Sequence, residues 1–187
     1  MIYIDNKHKF YKITNIDISN NLITSKIPLA WKLILTSDGS FTQNLNSITN
    51  RLIYAHIKEQ STLNYKNNKK ILRKVWLEDQ NNKKLTFAQS LWYINDYTNI
   101  YLNDKVPIGQ FLLQSGIEIY KKIDEVYYGN SIYLEYFFDS QDPIWGRKYK
   151  IYHKNKILAI IQEFFPSRLE NFLKKIENIS ERDKNYV

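Results

Sequence analysis

Two charged residues stand on strand faces that are otherwise apolar, and they are the first candidates for chemistry. Arg73 lies in the run Lys70–Glu78, where it alternates with Ile71, Val75 and Leu77, while Leu72, Lys74 and Trp76 fall on the other face. If the Ile/Val/Leu face is the core face, Arg73 points inward. A buried guanidinium must then be paired, because leaving it alone costs several kcal/mol. Glu163 shares alternate positions with Ile157, Ala159 and Ile161. A carboxylate in such an apolar slot tends towards a raised pKa and is a candidate acid or hydrogen-bond acceptor. Two readings stand at this point. The two residues form a structural ion pair and touch, or they hold a ligand between them and are separated by a ring-sized gap. A third feature is Pro107-Ile108-Gly109. With Pro107 as the first helical residue, the Ile108 amide is an unpaired donor at the positive end of a helix, suited to a carboxylate; an ordinary helix start explains it equally.

Other chemistries are poorly served. The chain has no cysteine, which excludes disulfides, thiolate metal sites and thiol catalysis. His8, His56 and His153 are scattered without metal-ligand spacing, so no metal site is expected. Five dispersed glycines make neither a phosphate loop nor a nucleophile elbow. The net charge of +8 would suit anionic small molecules or nucleic acid. The excess is lysine, however, with only five arginines, and Lys, Asn and Ile are all heavily used. Their shared A/T-rich codons account for that usage, so no specific nucleic-acid partner is expected. The many Tyr and Trp residues could stack on bases, but in strands they serve packing more often.

The elements that must position these residues follow from pattern. At 187 residues and 43% hydrophobic, the chain suits one domain spanning residues 1–187, without linker or internal repeat. A helix is expected from Pro28 to Leu35, stopped by Ser37-Asp38-Gly39-Ser40. Strands are expected over Arg51–Gln60, Lys70–Glu78 and Leu85–Ile94, the last two joined as a hairpin through Asp79–Lys84. Pro107 opens a short helix through Gln114. Ile117–Tyr128 and Ile132–Phe138 read as extended. Arg147–His153 and Ile157–Phe165 form a hairpin about Lys154-Asn155-Lys156. A terminal helix follows Pro166, with Ser167 and Glu170 as a capping box and Leu169, Phe172, Leu173 and Ile176 as its apolar stripe. Strands joined by short turns, with helices at start, middle and end, predict an α+β domain: an antiparallel sheet with helices on one side. No run reaches the ~18 apolar residues of a membrane-spanning helix. Met1 to Lys12 resemble neither a secretory signal nor a transit peptide, so a protein working in an organelle would be made there.

The order of motifs is similar to that of the chorismate lyase family. Ile27-Pro28-Leu29-Ala30-Trp31 through Asp38-Gly39-Ser40-Phe41-Thr42 resembles the family's opening helix, acidic turn and hydrophobic-Thr pair. Ile71-Leu72-Arg73-Lys74-Val75-Trp76-Leu77 resembles its arginine strand, and Val106-Pro107-Ile108-Gly109-Gln110-Phe111-Leu112 its Pro-apolar-Gly helix start. Trp145-Gly146-Arg147-Lys148 and Gln162-Glu163-Phe164-Phe165-Pro166 resemble its carboxy-terminal signature. The similarity covers residues 27–166, leaving 167–187 as a terminal helix and tail. Within the family, the composition and tail look most like the plastid-encoded, largely uncharacterised members.

The resemblance implies a six-stranded antiparallel sheet with flanking helices and a buried, flap-covered pocket. It implies an enzyme that splits chorismate into 4-hydroxybenzoate and pyruvate without a cofactor, feeding quinone biosynthesis in a plastid stroma or, alternatively, acting in a bacterial cytoplasm. Arg73 matches the arginine that clamps the ring carboxylate, and Phe41 and Ile108 match pocket positions that contact that carboxylate. Glu163 matches the glutamate facing the ring hydroxyl. Where family lyases carry a second pocket arginine, this chain has Gln89, whose neutral amide could hydrogen-bond the second carboxylate of chorismate but not neutralise it. The same fold serves bacterial regulators as an effector domain, so the other expectation is a non-catalytic sensor of a small aromatic carboxylate. No DNA-binding helix pair is expected ahead of the fold from residues 1–26, which argues against a complete regulator.

Overall fold

A computed structural model describes residues 8–15, 27–65, 68–94, 112 and 116–172. Seven strands form one sheet: β1 His8–Asn15, β2 Ile53–Tyr65, β3 Asn68–Asp79, β4 Lys84–Ile94, β5 Tyr120–Ser131, β6 Ile144–His153 and β7 Lys156–Phe165. Their order is β1-β5-β6-β7-β4-β3-β2, and every neighbouring pair is antiparallel. The sheet thus has one strand more than the six expected. The addition is β1, which pairs with β5 at one edge and comes from a segment whose mixed polarity shows no clean alternation. Three helices complete the described architecture: α1 Leu29–Thr36, α2 Phe41–Thr49 and α3 Ile132–Phe138. The fold is α+β.

β4 and β7 lie at the centre of the sheet, and their sequences show why. In β7, every residue of Leu158–Phe165 except Ile160 is buried, so both faces are covered. β2, at the other edge, keeps one face in solvent and alternates. The β6–β7 turn places both Lys154 (φ 46°) and Asn155 (φ 59°) in the left-handed region, as a tight hairpin requires. Gly146 of β6 is a residue of close approach: a Cβ there would meet the Phe164 ring at 2.7 Å.

α1 and α2 pack on one face of the sheet. Trp31, Ile34 and Leu35 of α1, with Phe41 and Leu45 of α2, bury against Leu77, Leu85, Trp145 and Phe165. Trp31 stacks on Trp145 with ring centroids 5.5 Å apart. The sequence expectation contained no helix over α2, because Thr, Asn and Ser are poor helix formers. Its signal was the spacing of Phe41, Leu45 and Ile48, which places all three on the sheet-facing side. Leu169 begins a further helical turn and is buried in the same core. There the Ser167 hydroxyl donates to Asp142 (2.7 Å). Leu173 and Ile176 lie outside the described residues.

Ile132–Phe138 is helical, not extended as its aromatic content suggested. A reciprocal cap decides the matter. The Ser131 hydroxyl accepts from the Leu134 amide (3.2 Å), and the Glu135 carboxylate accepts from the Ser131 amide (2.9 Å). Leu134 and Phe138, four residues apart, are buried, while Ile132 and Tyr136 are 79% and 80% exposed. α3 covers the face opposite α1 and α2, over Trp76, Phe87 and Phe164. Helices therefore flank both faces, not one. Ser131→Ala is expected to cost about 1 kcal/mol in urea denaturation, the usual worth of a side-chain cap.

Candidate functional site

Between the α1–α2 core and the Leu112 end of the sheet lies a cavity of about 440 Å³. Its origin is local. On the cavity face, the middle of β4 carries only Ala88 and Ser90, so the space above this strand is unfilled. The flanking strands carry larger, charged groups: Arg73 on β3, opposite Ser90, and Glu163 on β7, opposite Ala88. Arg73 is 1% exposed and Glu163 6%, and both line the cavity. One strand and a two-residue offset separate them, which corresponds to ~12 Å between Cα atoms. Asp38, Gly39 and Ser40 of the α1–α2 loop, Phe41 and Thr42 of α2, Leu112, and Gly116 to Ile119 complete the wall. The Ser40 hydroxyl is buried and has no hydrogen-bond partner among the described residues. The size suits a small aromatic molecule.

Glu163 is not tied to Arg73. Its Oε2 pairs with Arg147 Nε at 2.7 Å, and its Oε1 accepts from the Tyr149 hydroxyl at 3.0 Å. Both partners come from β6, where Arg147 sits directly opposite Glu163. Arg147 is wholly buried. Its Nη1 donates to the carbonyls of Ile34 (2.6 Å), Ser37 (3.3 Å) and Leu35 (3.4 Å). One guanidinium thus joins the site's carboxylate to the carbonyl end of α1, where a cation is favoured. Phe41 and Tyr149 lie under it, each with its ring centroid 5.2 Å away. Burial, reinforced by the neighbouring Glu163 charge, pushes the Tyr149 phenol far above its ordinary pKa, so it is a fixed neutral donor.

Among the described residues, Lys121 of β5 is the other cation lining the cavity. Its Nζ donates to the carbonyls of Ser37 (2.9 Å) and Gly39 (3.4 Å) and lies 4.3 Å from the centroid of the Tyr149 ring. Burial, and then the Arg147 charge, bring its pKa down to about 8, against the opposing pull of Glu163 and Asp38.

Gln89 is not in the cavity. It lies on the opposite face of β4, where its Nε2 donates to Gln162 Oε1 (2.9 Å) and Gln162 Nε2 donates to the Tyr127 hydroxyl (3.2 Å). The reason is an irregularity in the β3–β4 ladder. Near the turn Glu78 pairs with Lys84, a register that would set Arg73 against Gln89. The shift between Leu77 and Glu78 sets Arg73 against Ser90 instead. A one-residue slip exchanges the faces of a strand. Phe41 lines the cavity from the first turn of α2. Ile108 lies outside the described residues. Sequence reasoning did not place Arg147, Tyr149 or Lys121 in the site. For the first two the signal was available: Arg147 and Tyr149 alternate with Trp145 and Ile151 on one face of β6, as Arg73 does with its neighbours. Among the described residues no group of His, Asp and Glu could hold a metal ion.

Residues 35–173 match the family model described as Chorismate pyruvate-lyase Rv2949c-like. The chain belongs to this family. The uncharacterized protein ycf21 of Antithamnion sp. is 42% identical over 174 residues, covering 91% of this chain and 96% of that one. The ycf21 protein of Porphyra purpurea is 39% identical over 151 residues, covering 78% and 86%. Solved structures share the fold at much lower identity. The effector domain of PhnF from Mycobacterium smegmatis superposes with a TM-score of 0.52 at 9% identity, covering 69% of this chain and 89% of that domain. The Staphylococcus aureus gene product SA0254 gives 0.55 at 11%, covering 72% and 92%.

Proposed function

We propose that this member of the chorismate pyruvate-lyase family converts chorismate to 4-hydroxybenzoate and pyruvate. One observation carries the reading: a buried arginine and a buried carboxylate flank one cavity of about 440 Å³ without touching each other. Arg73 takes the ring carboxylate bidentately, using the planar fork that distinguishes Arg from Lys. Glu163 faces the ring hydroxyl. Its two oxygens are held by Arg147 and Tyr149, yet each keeps a lone pair for the ligand. In the reaction a proton leaves the hydroxyl-bearing ring carbon, and the C–H electron pair becomes the ring double bond. The bond to the enolpyruvyl oxygen breaks, its electrons leave with that oxygen, and protonation of the enolate gives pyruvate. Aromatisation drives this step, so the protein's task is to hold a reactive conformer away from water. No cofactor is required by this chemistry.

Purified protein incubated with chorismate should release 4-hydroxybenzoate and pyruvate in equal amounts, followed by chromatography and by coupled reduction of pyruvate. Protein that binds 4-hydroxybenzoate but releases no products would favour the second reading, a non-catalytic sensor of a small aromatic carboxylate. That reading is supported by the neutral cavity face of β4, Ala88 and Ser90, where an anion-binding enzyme would gain from a cation. The ycf21 relatives support a plastid setting.

A further inference from the structure

Chorismate carries two carboxylates and its aromatic product only one. Arg73 accounts for the ring carboxylate in the reading above, on which the present inference rests. The second carboxylate, on the enolpyruvyl group, needs its own partner, because a desolvated anion without one is strongly disfavoured. β4 does not provide it: its cavity face is Ala88 and Ser90, and Gln89 points the other way. Arg147 is fully buried behind Glu163 and does not line the cavity. Among the described lining residues Arg73 and Lys121 are the cations.

The position of Lys121 is the one the ligand's geometry requires. The enolpyruvyl oxygen is attached to the ring carbon next to the hydroxyl-bearing carbon. With the hydroxyl at Glu163, the second carboxylate projects at the Glu163 end of the cavity, away from Arg73. Lys121 reaches that end from β5: its Nζ lies against the Tyr149 ring, whose hydroxyl holds Glu163. An ammonium has three donors, and two are directed at the Ser37 and Gly39 carbonyls, the longer of these contacts being 3.4 Å. At least one donor is left for a ligand. Arg147 nearby adds positive potential at the same end, and its Nη2 is buried without a hydrogen-bond partner among the described residues. Glu163 and Asp38 are the opposing charges.

We infer that Lys121 is the second carboxylate anchor of the cavity and selects dicarboxylate ligands of the chorismate type over monocarboxylates. A lysine from β5 here does the work for which β4 offers no cation. The lowered pKa of its ammonium agrees with this role, since a desolvated cation gains most when an anion arrives.

The test compares wild type, Lys121→Gln and Lys121→Arg, using chorismate and 4-hydroxybenzoate as probes. Lys121→Gln should raise KM for chorismate, or its Kd if turnover is absent, by roughly 30-fold or more, while kcat changes only a few-fold. The calorimetric Kd for 4-hydroxybenzoate should change by less than about 3-fold, which also shows that the cavity has kept its shape. Lys121→Arg, which keeps the charge, should recover most of the loss. Equal weakening of both ligands, with no rescue by arginine, would mean that Lys121 only braces the α1–α2 loop. Unchanged KM in Lys121→Gln would overturn the inference while leaving the chorismate reading intact. Wild-type protein that binds neither probe would sink that reading, and the inference with it.

Discussion

Arg73→Ala is expected to abolish measurable binding of 4-hydroxybenzoate, raising Kd at least ~100-fold while the protein still folds. The size of the effect follows from where the arginine sits. It is 1% exposed on β3 and looks into a cavity where its described neighbours in the wall, Val75, Ala88 and Ser90, carry no charge. Removing one partner of a desolvated, hydrogen-bonded charge pair costs several kcal/mol, and each ~1.4 kcal/mol is tenfold in affinity. Folding should survive because the void left by truncation adjoins the cavity, where water can enter. Arg73→Lys should fall between, keeping the charge but losing the fork. Calorimetric titration with circular dichroism of the same samples makes the measurement. Undiminished affinity in Arg73→Ala would place the carboxylate elsewhere in the cavity.

Arg147→Met should be the most destabilising single change in the site, by about 3–5 kcal/mol, because it strands the buried carboxylate of Glu163 and removes a donor from three α1-end carbonyls. Glu163→Gln should also destabilise, since it leaves the wholly buried Arg147 guanidinium without its counter-charge. It should weaken turnover more than binding, because the amide keeps the shape and loses the charge. The pair's coupling is read from the double variant. Arg147→Met with Glu163→Leu replaces two buried charges with apolar groups and should lose clearly less than the sum of Arg147→Met alone and Glu163→Leu alone. Urea denaturation of the four proteins gives the cycle. Turnover should not return in the double variant, because the group facing the ring hydroxyl is gone. Strict additivity of the stability losses would show that the 2.7 Å contact contributes no coupling.

Helix α3 shows how local signals compete. Tyr133, Tyr136, Phe137 and Phe138 favour a strand by type, but Ser131 and Glu135 cap a helix, and the four-residue spacing of Leu134 and Phe138 agrees with the cap. Type is a weak preference that burial and capping override, and the cap was legible in the residues. β1 was not legible in this way. Its pairing partner β5 lies more than a hundred residues further on, and nothing in His8–Asn15 names that partner.

What the sequence by itself determined is the direction of side chains within each strand. Arg73 among Ile71, Val75 and Leu77, and Glu163 among Ala159 and Ile161, read as inward-pointing because alternation in a strand is set by the local backbone. It also determined the β6–β7 hairpin through its two-residue turn. Only the tertiary structure decided which charges meet. β4 comes between β3 and β7, so Arg73 and Glu163 share a cavity and not a salt bridge, while the β6–β7 register hands Glu163 to Arg147. The irregularity between Leu77 and Glu78 turned Gln89 out and Ser90 in, and the placement of β5 beside β6 brought Lys121 to the wall. Register and strand order are long-range properties: they depend on how whole faces bury against one another, and no short stretch of residues carries them.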